Sequence, residues 1–377
     1  MDIFQNLNEQ QQKAVEMTEG PVLVLAGAGS GKTRTLTHRI AYLIAVKQVL
    51  PHRILAVTFT NKAAGEMRER VNRLLSEFSS FSRTPVIGTF HAVCARILRE
   101  EAKMCGLTSH FTILDPSDQL RVVKQALKNL GVSQSEIHPK KVLSYIDRAK
   151  QELVAPSRFQ EFYADAFLSP LDELVASLYE GYQRQLQSSN AVDFGDLLSY
   201  VVCLWREHPE ILEKYQRRFH YVLVDEYQDT NSVQYEICHL LSREHKNLFV
   251  VGDDYQSIYS FRGARIENIL NFSKDNRGTQ KIVLDQNYRS TQQILNVANA
   301  VIAKNTSQQK KVLWTDHKKG KKPQIVEVMA AYRLSMEREH PTWEAVREVT
   351  EGKLKQWGEM RHGQWRWRDT AWGNSPR

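Results

Sequence analysis

Residues 22 to 26, VLVLA, form an apolar run without helical spacing, bounded by Pro21 and a cluster of glycines. A run of this kind predicts a buried parallel strand, since both of its faces need cover. Beyond the glycines, Leu36, Ile40, Leu43 and Ile44 return at helical spacing. Strand, glycine loop and helix in that order predict the βα half of a nucleotide-binding unit. A second strand is expected over Ile54 to Phe59. It leads from Lys62 into a helix with Ala63, Met67, Val71 and Leu74 on one face and Glu66, Arg70 and Arg73 on the other. Tyr221 to Val224, Leu248 to Val251 and Lys281 to Asp285 are further apolar runs, the first two ending in acidic residues. Strands alternating with helices predict an α/β fold with a doubly wound parallel sheet.

Between residues 90 and 215 the strand signals fade and helical patterns take over. Asp115-Pro116-Ser117-Asp118 reads as a helix start, with a capping Asp and Pro at the first helical position. The segment is expected to be a mostly helical insertion between the second strand and the one at Tyr221. From residue 331 the character changes again, with Trp343, Trp357, Trp365, Trp367 and Trp372 set among Arg, Glu and Gly. An aromatic and basic platform for nucleic acid is one reading of this tail. A non-native tail, for instance one read out of frame, is the preferred one, because a platform would sit on a recognisable element.

The 377 residues suffice for two or three cores. A formal net charge of +8 favours a polyanionic partner without requiring one. Cys94, Cys105, Cys203 and Cys238 have no metal-site spacing and suit a reducing compartment. The N-terminus lacks the basic and apolar regions of a signal peptide, and no apolar run approaches the roughly 20 residues that span a bilayer. The expected location is cytoplasmic.

Chemistry enters with Ala26-Gly27-Ala28-Gly29-Ser30-Gly31-Lys32-Thr33, which has the form of a phosphate-binding loop. Its glycines let successive N–H groups face phosphate oxygens, and the helix that follows adds its positive end. Lys32 is expected to reach the β- and γ-phosphates of ATP, and Thr33 to bind Mg²⁺. Ala26 replaces the usual first glycine with another small residue. Leu223-Val224-Asp225-Glu226 supplies a second metal-binding group, Asp225, and a base for the attacking water, Glu226, although acidic pairs at strand ends also serve as caps.

Further segments extend the pattern in order. They are Leu7 to Val15 (LNEQQQKAV), Ala56 to Ala64 (AVTFTNKAA), Gly88-Thr89-Phe90-His91, Asp225-Glu226-Tyr227-Gln228-Asp229, Val251 to Ala264 (VGDDYQSIYSFRGA) and Gln286-Asn287-Tyr288-Arg289-Ser290. Together with the phosphate loop they resemble the Q motif and motifs I to IV of superfamily 1A DNA helicases, the UvrD/Rep/PcrA group.

The resemblance implies a RecA-like P-loop fold and a single-stranded DNA track. It implies a RecA-like ATP-binding domain over 1–90 and 215–280, a helical insertion over 91–214, and the start of a second RecA-like domain over 281–330. Gln11 would read adenine, Tyr288 would stack on it, and Arg34 would join the nucleotide set. Gln256 would sense the γ-phosphate and Arg289 would reach it from the second domain. Phe59, Asn61, Lys62, His91, Tyr259, Phe261 and Arg262 would touch DNA. Core packing is the ordinary reading of a single Phe at a strand end, and base stacking is what the resemblance favours.

It also implies motifs V and VI, for which the sequence holds no counterpart. The expectation is an ATP-dependent 3′–5′ single-stranded DNA translocase or helicase of DNA repair or replication, in a truncated and impaired form. The rivals are a non-catalytic DNA-binding or regulatory fragment and the motor part of a RecB/AddA-type helicase–nuclease.

Overall fold

The computed structural model describes residues 3–76, 84–133, 137–163, 170–305, 308–317, 320–321 and 323, with the backbone of 358–361 and 364–367. By their contacts the residues form two compact units, 1–289 with 305–314, and 290–304 with 315–377.

The first unit opens with α1 (Glu9–Glu16), β1 (Val22–Ala26), α2 (Lys32–Ala45), β2 (Ile54–Thr58), α3 (Asn61–Ser76) and β3 (Val86–Thr89). Helices α4 (Phe90–Glu100), α5 (Pro116–Asn129), α6 (Pro139–Gln151), α7 (Phe159–Tyr163), α8 (Pro170–Ser188), α9 (Phe194–Glu207) and α10 (Pro209–Arg218) follow, interrupted by the two-residue strands β4 (Thr112–Ile113) and β5 (Ala191–Val192). The chain then returns through β6 (Tyr221–Val224), α11 (Ser232–Ser242), β7 (Leu248–Gly252), α12 (Glu267–Leu270), α13 (Phe272–Asp275) and β8 (Gln280–Leu284).

Six strands make one parallel sheet in the order β3-β2-β6-β7-β1-β8. Its central strands are apolar throughout because helices cover both faces. In β1, Leu23 and Leu25 enter one apolar cluster, while Val22, Val24 and Ala26 enter the other. Since every strand runs the same way, all six C-terminal ends lie along one edge, where α/β sheets bind ligands.

Four findings add to the expectations. The strand β3 was not anticipated; it is four residues long, only alternately buried, and contains Gly88. The fifth expected strand is β8, and it pairs with β1 in the first sheet, with Ile282 and Leu284 in its core. By contacts, the first compact unit runs on to Arg289.

The insertion has a separate core, from Val123 to Leu186, narrower than residues 91–214. Helices α4 and α9 instead send Phe90, Val93, Ile97, Leu197, Val201 and Trp205 into the sheet's own core. In the tail, Gly358–Arg361 (β9) pairs antiparallel with Gln364–Trp367 (β10), so Trp365 and Trp367 stand on a strand where none was expected. Trp343, Trp357 and Trp372 lie outside the described residues.

In the second unit, α14 (Gln292–Ile302) has Ile294, Val297 and Val301 exposed. Among the described residues no helix is long and apolar enough to cross a membrane.

The position of β8 has a measurable consequence. Burying Ile282 and Leu284 is worth about 3–6 kcal/mol together. A chain ended after residue 279 should melt well below the full chain, by about 5 °C or more, whereas one ended after residue 314 should melt within a few degrees of it. Calorimetry of the two shortened chains checks this, and equal melting would show that β8 is dispensable to the sheet.

Candidate nucleotide and nucleic-acid site

The loop between β1 and α2 is held by its surroundings. Gly29 and Gly31 have left-handed backbones, with φ of 68° and 87°, where an L side chain is strained. Space forbids side chains there as well: a Cβ on Gly29 would stand 2.8 Å from Asn287 Nδ2 and from Arg289 Cβ, and one on Gly31 2.6 Å from Gln11 Nε2. The Asn287 amide donates to the Ala28 carbonyl at 2.5 Å, and the Tyr288 N–H to the Gly29 carbonyl at 2.9 Å. The Ser30 hydroxyl closes the loop on the Gly27 carbonyl at 2.8 Å. Ala26, fully buried, is the last residue of β1.

Lys32 and Thr33 begin α2, with the positive helix end beside them. The Lys32 ammonium lies 2.6 Å from the Glu226 carboxylate. Glu226 follows β6 with a left-handed backbone (φ 51°, ψ 44°), a conformation that costs a non-glycine residue roughly 1 kcal/mol or more. Asp225 before it is buried and accepts the Glu226 N–H at 3.1 Å. Burial first, then the Glu226 charge, pushes the Asp225 carboxyl up to about 7, while Lys32 opposes the shift. Asp229 rises to about 6, chiefly through burial and then Glu226.

Gln228 links this pair to the end of β7. Its amide donates to Glu226 at 3.0 Å and to Asp229 at 3.1 Å, and its oxygen accepts the Asp253 N–H at 2.9 Å. The approach requires Gly252, where a Cβ would meet Gln228 Oε1 at 2.7 Å. Asp253 in turn accepts the Gln256 amide at 2.5 Å.

On the same edge, the aromatic candidates follow β2 and β3 at one end of the sheet and β7 between β6 and β1. Phe59 is half-buried, its ring 6.0 Å from that of Phe90, so it packs on the core as well as bordering the edge. Asn61 and Lys62 are exposed at the start of α3. His91 stands edge-on to the exposed ring of Phe194, centroids 5.8 Å apart, and burial holds its pKa below the usual value. Phe261 is 76% exposed, an unusual state for a Phe, and Tyr259 is 38% exposed at a centroid distance of 5.9 Å. The Arg262 guanidinium lies over both rings, at 5.4 and 5.6 Å.

Residues 7–277 match the family model described as UvrD/REP helicase N-terminal domain, and residues 282–340 match the UvrD-like helicase C-terminal domain. The chain belongs to the UvrD/Rep helicase family. It is 47% identical over 329 residues to the ATP-dependent DNA helicase PcrA of Staphylococcus aureus, and 48% identical over 327 residues to that of Staphylococcus epidermidis. These alignments cover 87% of this chain but 44% of each relative, so the chain spans less than half the length of the curated relatives it matches. The C-terminal match also carries the likeness past residue 330, where the sequence had suggested that it stops.

Within this UvrD-type unit, Lys32, Glu226, Asp225 and Gln256 belong to one connected cluster, and Arg289 reaches the phosphate loop through its Cβ. Three further nucleotide candidates make contacts within the protein. Gln11 is wholly buried, its oxygen accepting the Asn8 N–H at 3.0 Å and its amide donating to the Ser30 carbonyl at 2.9 Å, so it braces the loop. Arg34 is exposed and donates to the Asn6 carbonyl at 3.3 Å. Tyr288 is 38% exposed, and its hydroxyl accepts from Asn8 at 2.9 Å.

Asn8, Asn287, Gln228 and Asp253 also join the cluster, which their residue types alone do not signal. All four stood inside quoted motifs, but only their contacts show what they do.

Asp225 gives a signed pH effect. Its folded pKa of about 7 stands above the ordinary 3.8, so the native state takes up a proton between those values. The cost of holding the charge is absent below 3.8, grows with pH, and is complete above 7. Asp225→Asn should therefore melt about 2–4 °C above the wild-type protein at pH 8, with the gap narrowing towards pH 4. A gap that widens on acidification would contradict the assignment.

Proposed function

We propose that this chain binds Mg-ATP at the β1–α2 loop and single-stranded DNA along the exposed aromatic edge, as the motor part of an ATP-dependent DNA helicase. The observation that carries the reading is the Lys32–Glu226 pair beside buried Asp225, facing a glycine cradle closed to side chains. The family likeness supports the same reading, together with a 3′–5′ direction and a role in DNA repair or replication.

The residues present fit Mg²⁺. It is commonly held by one or two carboxylates and substrate phosphates rather than a protein cage. Among the described residues no cluster of three or more His, Cys, Asp or Glu could hold a metal by itself. Thr33 and Asp225 would be its protein ligands, and a cation would offset the cost of Asp225's buried charge. Bound there, the ion would supply neutralisation of charge on the phosphates.

Lys32 would leave Glu226 for the β- and γ-phosphates. Freed from the ammonium, Glu226 would orient the attacking water and accept its proton. Gln256, held through Asp253 and Gln228 to the same carboxylate, would register whether a γ-phosphate is present. It lies five residues before Phe261 in the same loop, so a displacement of Gln256 would travel to the stacking rings along a short stretch of backbone.

Because the chain spans 44% of the relatives' length, nucleotide and DNA binding are the properties that test the reading first. Glu226→Gln should retain Mg-ATP binding and lower turnover by about 100-fold or more. Calorimetric titration and phosphate release, with and without single-stranded DNA, measure the two effects. A wild-type chain that binds no Mg-ATP would overturn the reading.

Phe261→Ala should weaken binding to labelled oligothymidine by about 5- to 100-fold, the loss of one stacked base, in fluorescence anisotropy. Unchanged affinity would remove Phe261 from the DNA surface.

A further inference from the structure

Residues 305–314 belong by their contacts to the first unit, whereas the stretches before and after them, 290–304 and 315 onwards, belong to the second. This short strap lies on the loop after β7. Its Lys311 carries an ammonium that is almost wholly buried, at 2% side-chain exposure, between Asp253 and Asp254. The distance to Asp253 Oδ1 is 2.8 Å, and the hydrogen bond to Asp254 Oδ1 is shorter.

The aromatic face of Tyr255 lies 3.8 Å from the same nitrogen. The Tyr255 hydroxyl donates to the Lys311 carbonyl at 3.1 Å and accepts the Lys311 N–H at 2.9 Å. The Gln309 N–H donates to Asp254 Oδ2 at 2.8 Å, and the Gln308 amide to the Asp254 carbonyl at 2.9 Å. Three consecutive residues of the loop are thus fastened by the strap, and one buried cation stands against two buried carboxylates.

Asp253 is the shared point. Its Oδ1 takes Lys311 and the Tyr255 N–H, which leaves Oδ2 for the Gln256 amide. We propose that Lys311 is a positioning residue: by fixing the Asp253 carboxylate it sets the orientation of Gln256, and so the loop's preference for a nucleoside triphosphate over a diphosphate. The proposal rests on the ATP-binding reading. The physical ground is that a carboxylate gripped at one oxygen by a buried ammonium cannot rotate freely, so the amide held by its other oxygen is oriented too. A strap whose flanking chain belongs to the second unit also gives that unit a covalent lead to the γ-phosphate sensor.

The test compares the full chain with Lys311→Met and Tyr255→Phe. The second variant removes both hydroxyl contacts to the strap without leaving a buried charge unpaired. In nucleotide-free protein, hydrogen exchange of the amides of residues 253–262 should quicken by about tenfold in K311M and less in Y255F. In Mg²⁺ buffer, the preference for a non-hydrolysable ATP analogue over ADP should fall by about fivefold in K311M, with ADP affinity changed less than about twofold.

A general loss of stability would lower both affinities together and leave their ratio alone, which would overturn the proposal. Wild-type exchange and a wild-type ratio in the two variants would also overturn it. If K311M fails to fold, Y255F decides by the same two readings. If the wild-type chain binds neither nucleotide, the ATP reading falls, and the exchange measurement alone judges whether Lys311 orders the loop.

Discussion

Parallel pairing of β1 with β7 and β8 and of β2 with β3 and β6 is the constraint from which the rest of the site follows. Parallel strands cannot be joined by tight hairpins, so each must be left by a long crossover that returns to the opposite edge. The loops that leave the C-terminal edge for those crossovers lie outside the pairing and can carry chemistry. In this chain the candidate groups stand on them: the glycine loop after β1, the aromatic stretches after β2 and β3, the carboxylates after β6, Gln256 after β7 and Asn287 after β8. Residues far apart in sequence meet there because the sheet aligns the ends of their strands.

What connects those loops is a chain of hydrogen bonds rather than a packed wall. Lys32, Glu226, Gln228, Asp253 and Gln256 form an unbroken line of ion-pair, charge-assisted and amide contacts, buried or half-buried until it ends at exposed Gln256. In a medium of low polarity such links are strong when complete and expensive when broken. A ligand that takes Lys32 from Glu226 changes the first link, and the others must readjust. The aromatic rings of Tyr259 and Phe261 lie a few residues beyond the last link, exposed where a core would have buried them.

Much of this was legible in the sequence, and the reason is local. VLVLA, LVDE and VVGDD are runs in which strand, strand end and polar turn are consecutive, so pattern and chemistry point to the same edge. Less legible was whatever depends on which strand lies next to which. The pairing of β8 with β1 could not be read from its five residues, and neither could the placement of α4 and α9 against the sheet instead of within the insertion. Gln11 had the right address beside the phosphate loop, but its burial and its two partners are matters of packing. Lys311, in an unremarkable run of lysines and glutamines, gave no sign that it would end between two carboxylates.

The backbone of Glu226 carries a consequence of another kind. An acidic residue in a left-handed conformation is strained, and glycine or asparagine would occupy the same place with less strain. The position thus holds a residue that its own geometry disfavours, a mark of sites kept for what they do rather than for how well they fold. Under a regime that rewards heat resistance alone, residue 226 would be pulled two ways: Gly or Asn would relieve the backbone, and either would give up the carboxylate's contacts with Lys32 and Gln228.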